Sequence, residues 1–149
     1  KNTMDEKAAG TIISDKGSRA QIKAIAAKDG ITAIKIKSSR MLLAYGFLRK
    51  VFEVFERYKT PIDMISTSEV AVSVTIDDNK QLPKILEELK TFGTIEVDDN
   101  QSIICVVGNM LSEKEGVLKE VFQSLANMPI RMVSYGGSPN NISILVSTS

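Results

Sequence analysis

The sequence has 149 residues, 43% of them hydrophobic, which suits one ordinary domain or two small ones sharing a core. Its 19 basic and 18 acidic side chains leave a net charge of +1, so there is no electrostatic footprint for nucleic acid or an anionic membrane. With no histidine and one cysteine, zinc sites and histidine-activated nucleophiles are excluded, and hydrolytic triads with them. Cys105 lies in the apolar run Ile103 to Val107, where cysteine acts as a small buried hydrophobe, and a reducing, cytoplasmic setting fits it. No apolar stretch approaches the roughly 20 residues that span a bilayer, and the first ten residues have no signal-peptide core, so a soluble protein is expected.

Residues 1–20 are polar and small, with a brief strand at Thr11-Ile12-Ile13 and a turn at Asp15 to Ser18, as in a connecting segment. Gln21 to Ala27 predicts a strand, Asp29-Gly30 a turn, and Ile31 to Lys37 a second strand. Gly46 marks a helix start, because Leu48, Val51, Phe52 and Phe55 follow it at helical spacing. The helix ends near Lys59-Thr60-Pro61, since proline lacks an amide donor and pushes its predecessor out of the α region. Ile62, Met64 and Ile65 open a strand. Ser66 to Ile76 then alternates Val70, Val72, Val74 and Ile76 with small or polar residues, as in a sheet with one face covered, until Asp77-Asp78-Asn79. Leu82, Ile85, Leu86 and Leu89 give a second amphipathic helix, with Pro83 tolerated in its first turn, and Thr94 to Val97 a strand before Asp98-Asp99-Asn100. A β-α-β-β-α-β unit is complete at that point.

The chain then starts again. Gly46-Phe47-Leu48-Arg49-Lys50-Val51-Phe52 is answered by Gly116-Val117-Leu118-Lys119-Glu120-Val121-Phe122, and Pro61-Ile62-Asp63-Met64-Ile65-Ser66 by Pro129-Ile130-Arg131-Met132-Val133-Ser134. Ile142 to Val146 adds a strand after Asn140-Asn141, but the second helix and last strand of the pattern do not follow. The spare strand at Ile22 to Ala26 is expected to supply the missing edge beside Ile103 to Val107, which makes the first unit an insertion within the second. The resulting division is a linker at 1–20, a second unit from 21–30 plus 101–149, and a first unit at 31–100.

The chemistry centres on Met41 to Val72. A helix start at Gly46 offers unpaired amides and the positive end of the dipole, which suits a carboxylate. Asp63, at the head of the next strand, offers the opposite charge, so the pair is suited to a zwitterion such as a free amino acid. Where the first copy has Asp63 the second has Arg131, so the two copies do not share a ligand site. Thr67-Ser68-Glu69 adds hydroxyls and a second carboxylate on alternating strand faces. The plain readings stand beside these: glycine is routine at helix starts, aspartate satisfies loop amides, and Met41, Phe47 and Leu48 are core or interface residues. Asp77-Asp78 and Asp98-Asp99 are ordinary turn residues before they are Mg²⁺ ligands, and Gly136-Gly137 is a turn rather than a dinucleotide loop.

These residues also carry a family likeness. The M-L-x-x-x-G-F-L, V-F and D-x-I-x-T-S-E-V pattern of Met41 to Val72 resembles the regulatory region of the lysine-sensitive aspartokinases, and Val107-Gly108-Asn109 with Ile130 to Gly136 is similar to that family's second ACT domain. Lys1-Asn2-Thr3 and Gly10 to Ile13 resemble the segment leaving the catalytic domain. The resemblance implies an α+β fold of two ferredoxin-like (βαββαβ) ACT units, the first inserted into the second, and a regulatory, non-catalytic region. The kinase domain, which uses ATP and Mg²⁺ to phosphorylate the side-chain carboxylate of aspartate, is absent from the sequence. Feedback lysine is implied at a homodimer interface between first ACT units, on Met41, Gly46, Phe47, Leu48, Ile62, Asp63, Thr67, Ser68 and Glu69. Ala44 stands where related enzymes can carry serine, which removes a hydroxyl contact; Tyr45 is variable. The end at Ser149 also departs from the family, which continues into a helix. The alternatives keep the fold but change the partner: another effector (threonine, methionine or S-adenosylmethionine), or RNA on an exposed sheet. The last needs strand aromatics and a basic face, whereas all five phenylalanines fall in or beside predicted helices.

Overall fold

Two strands longer than the sequence predicts run through the molecule. The computed structural model describes residues 21–38 and 45–148. In it β1 spans Ile22–Lys37 and β4 spans Thr94–Gly108, antiparallel along their whole length. Around them lie β2 (Ile65–Thr67), β3 (Ala71–Ile76), β5 (Ile130–Ser134) and β6 (Asn141–Ser147), giving one six-stranded sheet in the order β2-β3-β1-β4-β6-β5. Three helices complete it: α1 (Phe47–Arg57), α2 (Leu82–Leu89) and α3 (Val117–Ser124).

The predicted turns at Asp29-Gly30 and Asp98-Asp99-Asn100 are instead bulges inside continuous strands. Pairing steps from Lys28↔Ile103 to Ile31↔Gln101 and on to Ala33↔Asp98, so each strand in turn carries one extra residue. Gly30 at φ 73° and Asn100 at φ 54° adopt the left-handed backbone that this needs. Asp29 accepts a hydrogen bond from Ser102 Oγ at 2.5 Å and Asp99 one from Thr32 Oγ1 at 3.0 Å. Both hydroxyls are buried, so these aspartates satisfy groups that would otherwise be costly.

Each half of the sheet is one ferredoxin-like unit. In the first, 31–37 of β1 lies between β3 and the start of β4, with β2 outermost and α1 and α2 on one face. In the second, 22–28 of β1 pairs with 103–108 of β4, the pairing that an insertion requires, and β6 and β5 follow beneath α3. The chain thus enters the second unit, builds the first, and returns. The stretch Ser66 to Ile76 is not one strand: it is broken by a hairpin at 68–70, where Ser68 N donates to Ala71 O at 2.8 Å.

Burial also rotates the predicted helix face. The apolar arc of α1 is wider than one stripe, and the core takes Phe47, Val51, Val54 and Phe55, leaving Phe52 half-buried and Leu48 38% exposed. In α3 the core likewise takes Val117 and Val121, with Leu118 and Phe122 at its margin. A third cluster joins the units through the sheet face opposite the helices: Ile31, Ala33, Met64, Ile103, Met132 and Leu145. Met64 leads into β2 and Met132 lies in β5, so the sheet curls until its two outer strands meet. This closes the surface an RNA-binding sheet would need, and none of the described strand residues is aromatic.

Candidate functional site

α1 ends at Arg57 and is closed by Lys59 at φ 49° and by Thr60 N donating to Phe55 O at 2.9 Å, and the chain is tied to β3 before β2 begins: Asp63 N donates to Thr75 O at 2.9 Å and Met64 N to Thr75 Oγ1 at 2.8 Å. This anchored backbone aims the Asp63 carboxylate at the junction of the two units. There it holds an ammonium, that of Lys28 from β1, at 2.9 Å, while Asp77 at the end of β3 holds the same ammonium at 2.7 Å. The group edges a cavity of 260 Å³ whose walls include Met64, Ile103, Cys105 and Ser143.

Donating hydrogen bonds to Asp77 and then Asp63 raises the Lys28 pKa above the usual 10.5, and accepting the one from Lys28 lowers that of Asp77 below the usual 3.8. A raised lysine contributes stability fully below its unfolded pKa and loses it as pH rises through the folded one. A lowered aspartate contributes above its unfolded pKa and loses it as pH falls through the folded one. In an NMR titration Lys28 is therefore expected to lose its proton above the ordinary lysine value and Asp77 to gain one below the ordinary aspartate value. Titration of both groups at the values of the free side chains would contradict the geometry.

The remaining predicted site residues fall along the outer edge of the first unit. Gly46, at φ 81°, opens α1 and provides no side-chain cap, so among the described residues the first-turn amides of the helix have no capping side chain. Phe47 is buried in the first core and has only its backbone to offer a ligand; Leu48 is exposed beside it. Ile62 packs against the same core. Thr67 ends β2, and Ser68 and Glu69 belong to the hairpin rather than to a strand. Ser38 N donates to Val70 O at 2.9 Å, fixing that hairpin to the end of β1. Asp63 therefore lies at one end of the β2 segment and Thr67, Ser68 and Glu69 at the other, about 13 Å apart along an extended chain. Every residue of β2 is exposed. Met41 and Ala44 lie outside the described residues, as do the segment 1–20 and Ser149.

Residues 104–149 match the ACT domain family. A solved C-terminal regulatory domain of aspartate kinase from Porphyromonas gingivalis W83 is 50% identical, with a TM-score of 0.75, and the match covers 86% of this chain and 88% of that one. The chain belongs to the ACT-type regulatory region of the aspartokinases. The lysine-sensitive aspartokinase 3 of Escherichia coli K12 is 34% identical over 154 residues, covering 97% of this chain and 34% of the relative. The structure of E. coli aspartokinase III in complex with lysine and aspartate superposes with a TM-score of 0.83 at 35% identity, over 97% of this chain and 34% of that one. This aspartokinase region spans about a third of the length of the curated relatives it matches. Among its described residues, no helix is long and apolar enough to cross a membrane.

Two charged residues of this regulatory region escape a reading by motif: Lys28, which lies in a predicted strand border, and Asp77, which looks like turn punctuation. The internal repeat carries the missing signal. Lys28 and Asp98 occupy matching positions, because Lys28 pairs with Ile103 and Asp98 with Ala33 across the two long strands. Asp63 and Arg131 also match, so both members of the pair change sign between the copies.

Proposed function

We propose that this chain is the lysine-sensing control region of an aspartokinase, whose catalytic domain uses ATP and Mg²⁺ and phosphorylates the side-chain carboxylate of aspartate. The observation that carries the reading is Asp63, an anchored carboxylate that already accepts an ammonium at 2.9 Å. Free lysine presents the same group. Its α-carboxylate is matched by the uncapped amides that follow Gly46, with Leu48, Ile62, Thr67, Ser68, Glu69 and Met41 completing the contacts. Similarity to the lysine complex of E. coli aspartokinase III supports the choice of effector. The units sharing this work are 31–100, which holds the site, and 21–30 with 101–149, joined to a kinase domain through 1–20. A reducing, cytoplasmic compartment is part of the proposal, since Cys105 is a free thiol beside Ser143.

A stripe on an exposed edge strand does not exclude water by itself. A second copy of the chain, applied by a two-fold axis to β2 and the start of α1, covers the edge and gives the ligand its other wall. Occupancy is then tied to subunit arrangement, and the effector shifts the kinase only by its difference in affinity between two arrangements, typically about 1–3 kcal/mol. Calorimetric titration of the chain with lysine, against threonine, methionine and S-adenosylmethionine, tests the effector: saturable binding of lysine alone is expected, and selective binding of another compound overturns it. Sedimentation at several protein concentrations tests the interface. Lysine is expected to lower the dimer dissociation constant by mass action, and a monomer indifferent to saturating lysine contradicts the model.

A further inference from the structure

The repeat builds a second cavity at the unit junction, and there the charges are left open. It has a volume of 320 Å³ and lies between β5 and the face of the first unit opposite its helices. Its floor is apolar, from Ala33, Met132 and Leu145 of the shared cluster, and charged side chains surround that floor. In the first cavity Lys28 and Asp63 close on each other at 2.9 Å. Their repeat mates Asp98 and Arg131 both line the second cavity, yet among the described residues they form no ion pair. Arg131 is steadied by its Nε donating to Ser147 Oγ at 3.0 Å, and among the described residues the two terminal nitrogens of the guanidinium have no hydrogen-bond partner. Glu96 pairs with Lys37 at 2.5 Å and also faces Lys35 across the two long strands, so one carboxylate is shared between two lysines. Three cations, Lys35, Lys37 and Arg131, thus stand against two carboxylates, Glu96 and Asp98, at one small cavity, and among the described residues Arg131 and Asp98 form no ion pair.

We infer that this cavity is a binding site for an acidic α-amino acid. The charge count sets the class: two carboxylates answer Arg131 and Lys35, and one ammonium answers Asp98. The planar guanidinium takes a carboxylate through two parallel hydrogen bonds, and the lysine supplies a point charge for the other. The volume lies at the small end of the roughly 300–1,000 Å³ of ligand pockets, which fits a single amino acid and no nucleotide. A basic amino acid is repelled by the excess of cations, so this site has the opposite preference from the stripe around Asp63. The inference is independent of the lysine reading, because it uses none of the same side chains.

Titration calorimetry of the 149-residue chain with L-glutamate and with L-aspartate, at constant ionic strength, tests it. Saturable binding of at least one is expected, weakened about tenfold or more by Arg131→Met and unchanged by Asp63→Ala. Asp98→Asn is expected to shift preference from L-glutamate towards glutarate, which lacks the ammonium, by about tenfold, a change that a folding defect does not mimic. Should Arg131→Met fail to fold, Lys35→Gln, on an exposed strand side chain, is expected to show the same loss. No saturable heat with either acidic amino acid overturns the inference. So does binding that survives both cation substitutions, or binding lost equally in Asp63→Ala.

Discussion

Asp63→Ala is expected to abolish lysine binding, while Arg131→Ala leaves it nearly unchanged. The backbone that carries the lost carboxylate stays tied to Thr75 through the amides of Asp63 and Met64, and Lys28 remains, still bound by Asp77 at 2.7 Å. The effector's ammonium then loses its carboxylate and meets the Lys28 ammonium, which Asp77 already pairs, in place of a partner. Truncating one side of a hydrogen-bonded charge pair costs about 2–5 kcal/mol, and each 1.4 kcal/mol is about tenfold, so a micromolar ligand moves to the millimolar range or beyond. Arg131 belongs to the other copy of the repeat and to the other cavity. Lys28→Met is expected to act in the opposite direction and tighten lysine binding several-fold, because Lys28 competes for Asp63 and an exposed ion pair returns only about 0–1 kcal/mol. Calorimetry on the three variants decides the matter. An Asp63 variant that titrates like the parent would place the site elsewhere.

The pattern of the chain made its repeat visible, because both copies begin at a glycine before a helix and resume at a proline before a strand. What it hid has physical causes. Asp-Gly and Asp-Asp-Asn look alike in a turn and in a bulge, since both need a residue at positive φ; only the paired partner strand tells them apart. A helix with apolar residues at 47, 48, 51, 52, 54 and 55 has two possible stripes, and the choice is made by the sheet beneath it rather than by the helix itself. Thr67, Ser68 and Glu69 were legible as a polar cluster but not as a strand end plus a hairpin, because valine and threonine continue on both sides of the turn. Asp63 stands out in the sequence as a carboxylate at the head of the segment after the Gly46 helix, with Arg131 in its place in the other copy. Lys28 does not, because its role depends on the curl that brings the lead into β2 across the opposite face of the sheet.

The rotated helix face leads to the last expected result: Phe55→Ala destabilises the chain far more than Phe52→Ala, although both fall on the face that spacing alone selects. Phe55 is 2% exposed and belongs to the first core with the fully buried Ile34, Val74 and Leu89. Truncating a buried phenylalanine costs about 3–5 kcal/mol through lost transfer energy and the residual cavity. At about 2–4 °C per kcal/mol for a chain of this size, the midpoint falls by roughly 6–20 °C. Phe52 sits at the margin of the cluster, where water already reaches part of the ring and can occupy the space left by truncation, so its loss is expected to cost about 1–2 kcal/mol. Thermal denaturation followed by circular dichroism separates the two. Equal shifts would mean that α1 packs on the stripe formed by Leu48, Val51, Phe52 and Phe55. The first-turn amides after Gly46 would then point in a different direction, and the carboxylate end of the proposed lysine site would go with them.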